Sequence, residues 1–135
     1  MYLDAQTLLS DSQAITGTAA STNYIDRDAV NSAIGTNHEL GEVEVFCQID
    51  AAFNTLTSLT IDVETDDNSS FSSATVMVSK SVLLAGLSLN AQIFLGKLGA
   101  GAWERYIRGN YTVVGTDPTT GSISMGIIQA RQSNK

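Results

Sequence analysis

Cysteine, proline and histidine are nearly missing from this chain of 135 residues: Cys47, Pro118 and His38 are the only ones. A single cysteine excludes an intrachain disulfide and any multi-cysteine metal site, so stability cannot depend on an oxidising compartment. A single histidine leaves a Ser-His-Asp triad with no other base and denies a zinc ion a second imidazole. His38 stands in the polar stretch 35–39, where it reads as an exposed loop residue. Charge is sparse as well, at 16% of residues, with seven Lys and Arg against fourteen Asp and Glu. The resulting net charge of −7 repels phosphate backbones and excludes direct nucleic-acid binding as the main role. No segment approaches the ~20 consecutive apolar residues of a membrane span. Residues 1–6 carry neither the basic start nor the apolar run of a secretory signal. These absences predict a soluble intracellular product without a membrane partner.

The signatures of catalysis are also lacking. Serines are abundant, but none lies in a Gly-x-Ser-x-Gly elbow and none has a neighbour able to act as its base. Gly99-Ala100-Gly101 opens like a dinucleotide loop, yet Glu104 occupies the third glycine position and a strand pattern follows in place of a helix. Cys47 alternates in phase with Val43, Val45 and Ile49, the setting of a small buried hydrophobe and not of a nucleophile. The chain reads as a binding protein, not an enzyme, with no cofactor.

What is present is apolar alternation with a period of two. Hydrophobic residues form 43% of the chain, and Ser, Thr, Asn and Gly fill the positions that Lys and Glu usually occupy, a balance that favours strands and turns. Alternation predicts strands over residues 42–49, 59–66, 73–82, 91–95, 105–114 and 122–132. Asp66-Asp67-Asn68-Ser69-Ser70 is a turn between the second and third of these, because its side chains bond their own backbone. The segment 115–121, which holds Pro118, is a longer hairpin loop. Helix signals are weak and confined to residues 26–34 and 82–89. Strands at intervals of roughly ten residues, without βαβ spacing, predict a single all-β domain over 1–135 built as an antiparallel sandwich or barrel.

Charge is divided along the chain. Residues 1–67 hold twelve acids against Arg27 alone, whereas residues 68–135 hold Glu104 and Asp117 against six bases. Two readings follow: acidic and basic strands become neighbours and neutralise each other across a ladder, the preferred one, or one face is a charged docking surface. Asp62, Glu64, Asp66, Asp67 and Asn68 could offer oxygen ligands to calcium, but the set lacks the glycine and distal glutamate of an EF-hand loop and reads first as a solvated strand and turn.

Several stretches resemble the jelly-roll capsid cement proteins of tailed phages. They are Met1-Tyr2-Leu3-Asp4, the run 10–26 with Gly17-Thr18-Ala19-Ala20-Ser21-Thr22-Asn23-Tyr24, the turn Thr65-Asp66-Asp67-Asn68-Ser69-Ser70-Phe71-Ser72-Ser73, and Arg105-Tyr106-Ile107-Arg108-Gly109-Asn110-Tyr111-Thr112-Val113 followed by Gly121-Ser122-Ile123. The order and spacing of these motifs span nearly the whole chain; residues 29–40 and the tail 132–135 depart from the pattern. The resemblance implies a jelly-roll sandwich of about eight strands on the outer surface of a phage head, assembled in the host cytoplasm. It further implies the major capsid protein as partner, with the protein clamping neighbouring capsid subunits.

The weakly patterned, threonine-containing segment 1–23 is expected to be an extended arm that adds a strand to a neighbour's sheet. Candidate contact residues are Tyr2, Leu3, Leu8 and Leu9 in that arm, with Trp103, Arg105 and Arg108 near the late loop, where Trp103, Tyr106 and Tyr111 either cap the core or anchor a partner. Sheet edges that need covering predict a homo-oligomer, dimer or trimer. The alternative is a glycan- or receptor-binding sandwich of a tail fibre or spike, using Trp103, Tyr106 and the acidic turn.

Overall fold

A computed structural model of the chain describes residues 7–27, 43–98 and 103–129. The alternation of apolar and polar residues is realised as strands whose inner faces meet. They are β1 (Leu8–Ala14), β2 (Ala19–Asp26), β3 (Val43–Ala51), β4 (Leu56–Asp66), β5 (Thr75–Leu83), β6 (Gln92–Leu98), β7 (Tyr106–Gly115) and β8 (Ser122–Gln129), with one 3₁₀ turn, Leu84–Gly86, between β5 and β6. Every described pairing is antiparallel, and the sheets run β1-β8-β3-β6 and β2-β7-β4-β5. This is the strand order of a jelly roll, in which two Greek keys interleave and sequence neighbours are shared between sheets.

The core lies between the sheets. Val45, Cys47 and Ile49 of β3 and Ile123 and Met125 of β8 face Leu59, Ile61 and Val63 of β4 and Ile107 and Tyr111 of β7. Tyr111 brings a hydroxyl into this apolar layer and finds its partner across it, in Ser10 Oγ of β1 at 2.7 Å. Burial drives the Tyr111 hydroxyl's pKa up, against the Ser10 hydrogen bond, so the group stays a neutral phenol. Cys47 is fully buried, and burial, with Asp50 nearby, pushes its thiol up to about 12.

The predicted strands are all present, with ends displaced by a few residues. The N-terminal segment differs more. Residues 8–14 and 19–26 do not extend away from the domain; they are β1 and β2, one strand of each sheet. Their pattern is weak for local reasons. Ser12 takes a left-handed φ of 45°, the pairing of β1 with β8 slips twice, and the small residues of β2 leave only Tyr24 and Ile25 as bulky side chains. The helix expected over 82–89 is the single 3₁₀ turn, because β5 continues to Leu83. The helix expected over 26–34, and His38, lie outside the described residues beyond Arg27.

Acidic and basic strands do become neighbours. In the β4–β7 ladder Glu64 stands opposite Arg108, and in the β3–β6 ladder Glu44 stands opposite Lys97. Part of the sign difference between the chain halves is therefore met within the fold, by cross-strand pairs.

Candidate protein-contact face

The residues on the outer face of the β2-β7-β4-β5 sheet follow from its register. Tyr24 stands opposite Arg108, Asp26 and Asp66 flank Tyr106, and Glu64 lies on the other side of Arg108. Farther along, Asn110 faces Asp62 and Thr112 faces Thr60, so the centre of the face is polar. Val114 and Leu83 are exposed at its far end.

Three rings form the near end of the face. Tyr24 lies 5.6 Å from Tyr106 and 6.2 Å from Phe71, and Phe71 lies 6.4 Å from Tyr106, all edge to face. That geometry suits the ring quadrupoles, which favour edge-on over stacked contact. Tyr24 is 51% exposed and Phe71 only 7%, so the cluster has a seated base and a free outer ring. Two guanidinium groups lie on the rings: Arg105 is 5.0 Å from the centroid of Tyr106 and Arg108 is 4.3 Å from that of Phe71. Each arginine is also held by a carboxylate. Arg105 makes a bidentate bridge to Asp26 at 2.8 and 3.0 Å, and Arg108 Nε donates to Glu64 Oε2 at 3.0 Å.

The turn that delivers Phe71 is built around Asp66. Asp66 Oδ1 accepts from the Asn68 amide at 3.0 Å and the Ser73 hydroxyl at 3.1 Å, while Oδ2 accepts from the Ser73 amide at 2.8 Å. Burial opposes ionisation of this carboxyl, but the amide and hydroxyl donors outweigh it and hold the pKa below the ordinary value. Phe71 itself sits at φ 51°, a left-handed conformation that costs a non-glycine residue about 1–2 kcal/mol. Asp66 thus uses both its oxygens within the turn, on the Asn68 and Ser73 amides and the Ser73 hydroxyl. Among the described residues no group of three or more His, Cys, Asp or Glu is arranged to hold a metal ion.

The seven candidate contact residues fall into separate places. Arg105 and Arg108 belong to the aromatic cluster. Trp103 and Leu9 are in the core, with Trp103 7% exposed, and Leu8 is half-buried on β1. Tyr2 and Leu3 lie outside the described residues. The aromatic trio Trp103, Tyr106 and Tyr111 is dispersed: Tyr111 points inward, Tyr106 outward. Tyr24 and Phe71, which complete the cluster, come from distant parts of the chain. The one sequence signal for them is the pair of aromatics just before Asp26 and just after the Asp-Asn-Ser turn.

A family model described as Bbp16 matches residues 9–127. No curated protein matches the chain.

Proposed function

The chain belongs to the Bbp16 family, and from that premise we propose that it is a capsid cement protein. It binds the outer surface of a tailed-phage head through the outer face of the β2-β7-β4-β5 sheet and ties neighbouring major capsid subunits together. The observation that carries this reading is the Tyr24–Tyr106–Phe71 cluster, whose outer ring Tyr24 is exposed, with Arg105 and Arg108 laid on its rings. Tyrosine and arginine held on a sheet are the residues that dominate protein-protein binding energy, because they bury large area at little cost in side-chain entropy. The polar strip of Thr60, Asn110 and Thr112 supplies the hydrogen-bonding surround that such an anchor uses. A head under internal pressure gains from many modest contacts of this kind, since repeated sites add their energies without any one being tight. The glycan-binding alternative leans on Trp103, whose ring is buried.

The test is reconstitution. Purified protein is mixed with expanded heads that lack it, and co-sedimentation and the temperature of head rupture are measured. Binding with a raised rupture temperature is expected, and Tyr24→Ala, which removes a half-exposed ring, should weaken binding about tenfold or more. No binding by the unaltered protein, or full binding by Tyr24→Ala, refutes the assignment of this face.

A further inference from the structure

Three of the described side chains hide a polar atom that has no hydrogen-bond partner: Arg27 Nε, Glu44 Oε2 and Asp62 Oδ1. Native folds leave few such atoms, because a buried donor or acceptor without a partner gives up its hydration and receives nothing in return. Two of the three have a local account. Arg27 donates through Nη1 to the Glu104 carbonyl at 3.2 Å, and Glu44 stands opposite Lys97 in the β3–β6 ladder. Asp62 has none: its cross-strand neighbours are Asn110 on β7 and Ser79 on β5, neither of them charged.

Asp62 belongs to the outer face of the β2-β7-β4-β5 sheet, since Ile61 and Val63 on either side of it point into the core. The other charges of that face are already matched. Asp26 holds Arg105, Glu64 holds Arg108, and Asp66 accepts from Asn68 and Ser73. Lys80, next to Ser79, is directed to the Phe94 carbonyl of the other sheet. Among the described residues no cation is paired with Asp62. It is 9% exposed, sunk between Thr60 and Glu64 along the strand and Ser79 and Asn110 across it.

That setting decides what can pair with it. An anionic or apolar group would leave the carboxylate desolvated and alone, which is the costly outcome. A backbone amide cannot follow it below the surface of the sheet. A lysine or arginine side chain can, because its charged end is carried on a long flexible stem. The N–H protons that do not meet Asp62 find acceptors in the Ser79 and Thr60 hydroxyls and the Asn110 amide oxygen. The net charge of −7 favours the approach of a basic surface. A metal ion suits the place less well, because Glu64 is taken by Arg108 and no described group of three or more His, Cys, Asp or Glu is arranged to hold one.

We propose that Asp62 is the receptor for a lysine or arginine side chain of the protein that docks on this face. The inference rests on the reading of the face as the capsid contact and adds the charge of the group that the partner brings. Tyr24 anchors by buried area, and Asp62 by an ion pair formed only in the complex.

Asp62→Asn keeps the shape and removes the charge. The isolated variant should melt at or above the Tm of the unaltered protein, since an unpaired buried charge is gone. Its co-sedimentation with expanded heads should nevertheless weaken at least about tenfold. If it fails to fold, Asp62→Thr, which repeats the Thr60 of the same strand face, carries the test with the same expectation. A lowered Tm in the folded variant marks a structural role and overturns the proposal. Head binding equal to that of a binding-competent unaltered protein overturns it and leaves the cement reading standing, whereas no binding by the unaltered protein overturns both. Calcium chloride that raises the Tm of the unaltered protein but not that of Asp62→Asn would assign the carboxylate to a metal ion and overturn it as well.

Discussion

Replacing Arg108 by methionine isolates what the face spends on holding its own charges. Arg108 and Glu64 meet at 3.0 Å with side chains 24% and 10% exposed, so the pair is mostly out of water. Methionine keeps the bulk over Phe71 and removes the charge. Glu64 then stands as an unpaired carboxylate two residues along β4 from Asp62, whose buried Oδ1 has no hydrogen-bond partner. Breaking a fully buried pair costs about 3–5 kcal/mol. Partial exposure of the arginine reduces that, and the lost contact with the Phe71 ring adds about 0.5–1 kcal/mol, so the net loss should be about 2–3 kcal/mol. For a domain of this size that is a fall in Tm of about 8 °C. Urea and thermal unfolding followed by circular dichroism read it directly. Adding Glu64→Gln to Arg108→Met should recover at least half of the loss, because the stranded charge is gone. Arg105→Met is the control: the same chemistry, with side chains 43% and 39% exposed, should cost under about 1 kcal/mol. A loss below about 0.5 kcal/mol for Arg108→Met, or no recovery in the double variant, would show that burial does not strengthen this pair.

Three other outcomes are expected. Gly121→Ala should destabilise by about 3 kcal/mol or prevent folding, because φ is +139° and a Cβ would sit 2.4 Å from the Phe53 ring; a change under about 1 kcal/mol in urea unfolding refutes this. Cys47 should resist thiol reagents at pH 8 until denaturant is added, since its thiol is buried and titrates near 12, and rapid labelling of the native protein would contradict that. Asp66 has a folded pKa below its unfolded value, so its contribution is fully present above about pH 5 and is lost as pH falls through about 3.9 toward the folded value. Asp66→Asn should therefore flatten the acid limb of Tm between about pH 5 and 2, and an unchanged limb would refute the role of this carboxyl.

Period-two alternation over residues 42–66 and 105–129 was enough to determine an all-β domain, sandwich or barrel, because a half-buried strand must place its apolar residues on one side. The absence of a second cysteine or histidine and of a nucleophile motif was equally a matter of sequence. β1 and β2 were not legible as parts of the sheets. Their order comes from ladders with β8 and β7, eighty or more residues away, and the left-handed Ser12 breaks any local pattern. The candidate face was legible only in fragments. Arg105 and Arg108 stood out as bases in an acidic chain, but Tyr24, Phe71 and Tyr106 lie far apart in sequence and meet only because β2 pairs with β7 and the Asp66 turn folds back over β7. Likewise, composition set the charge of each half, while the register of β4 against β7 decided that Glu64 and Arg108 neutralise each other. Local patterning settles which side of a strand is apolar; which strands share a face depends on contacts between distant residues.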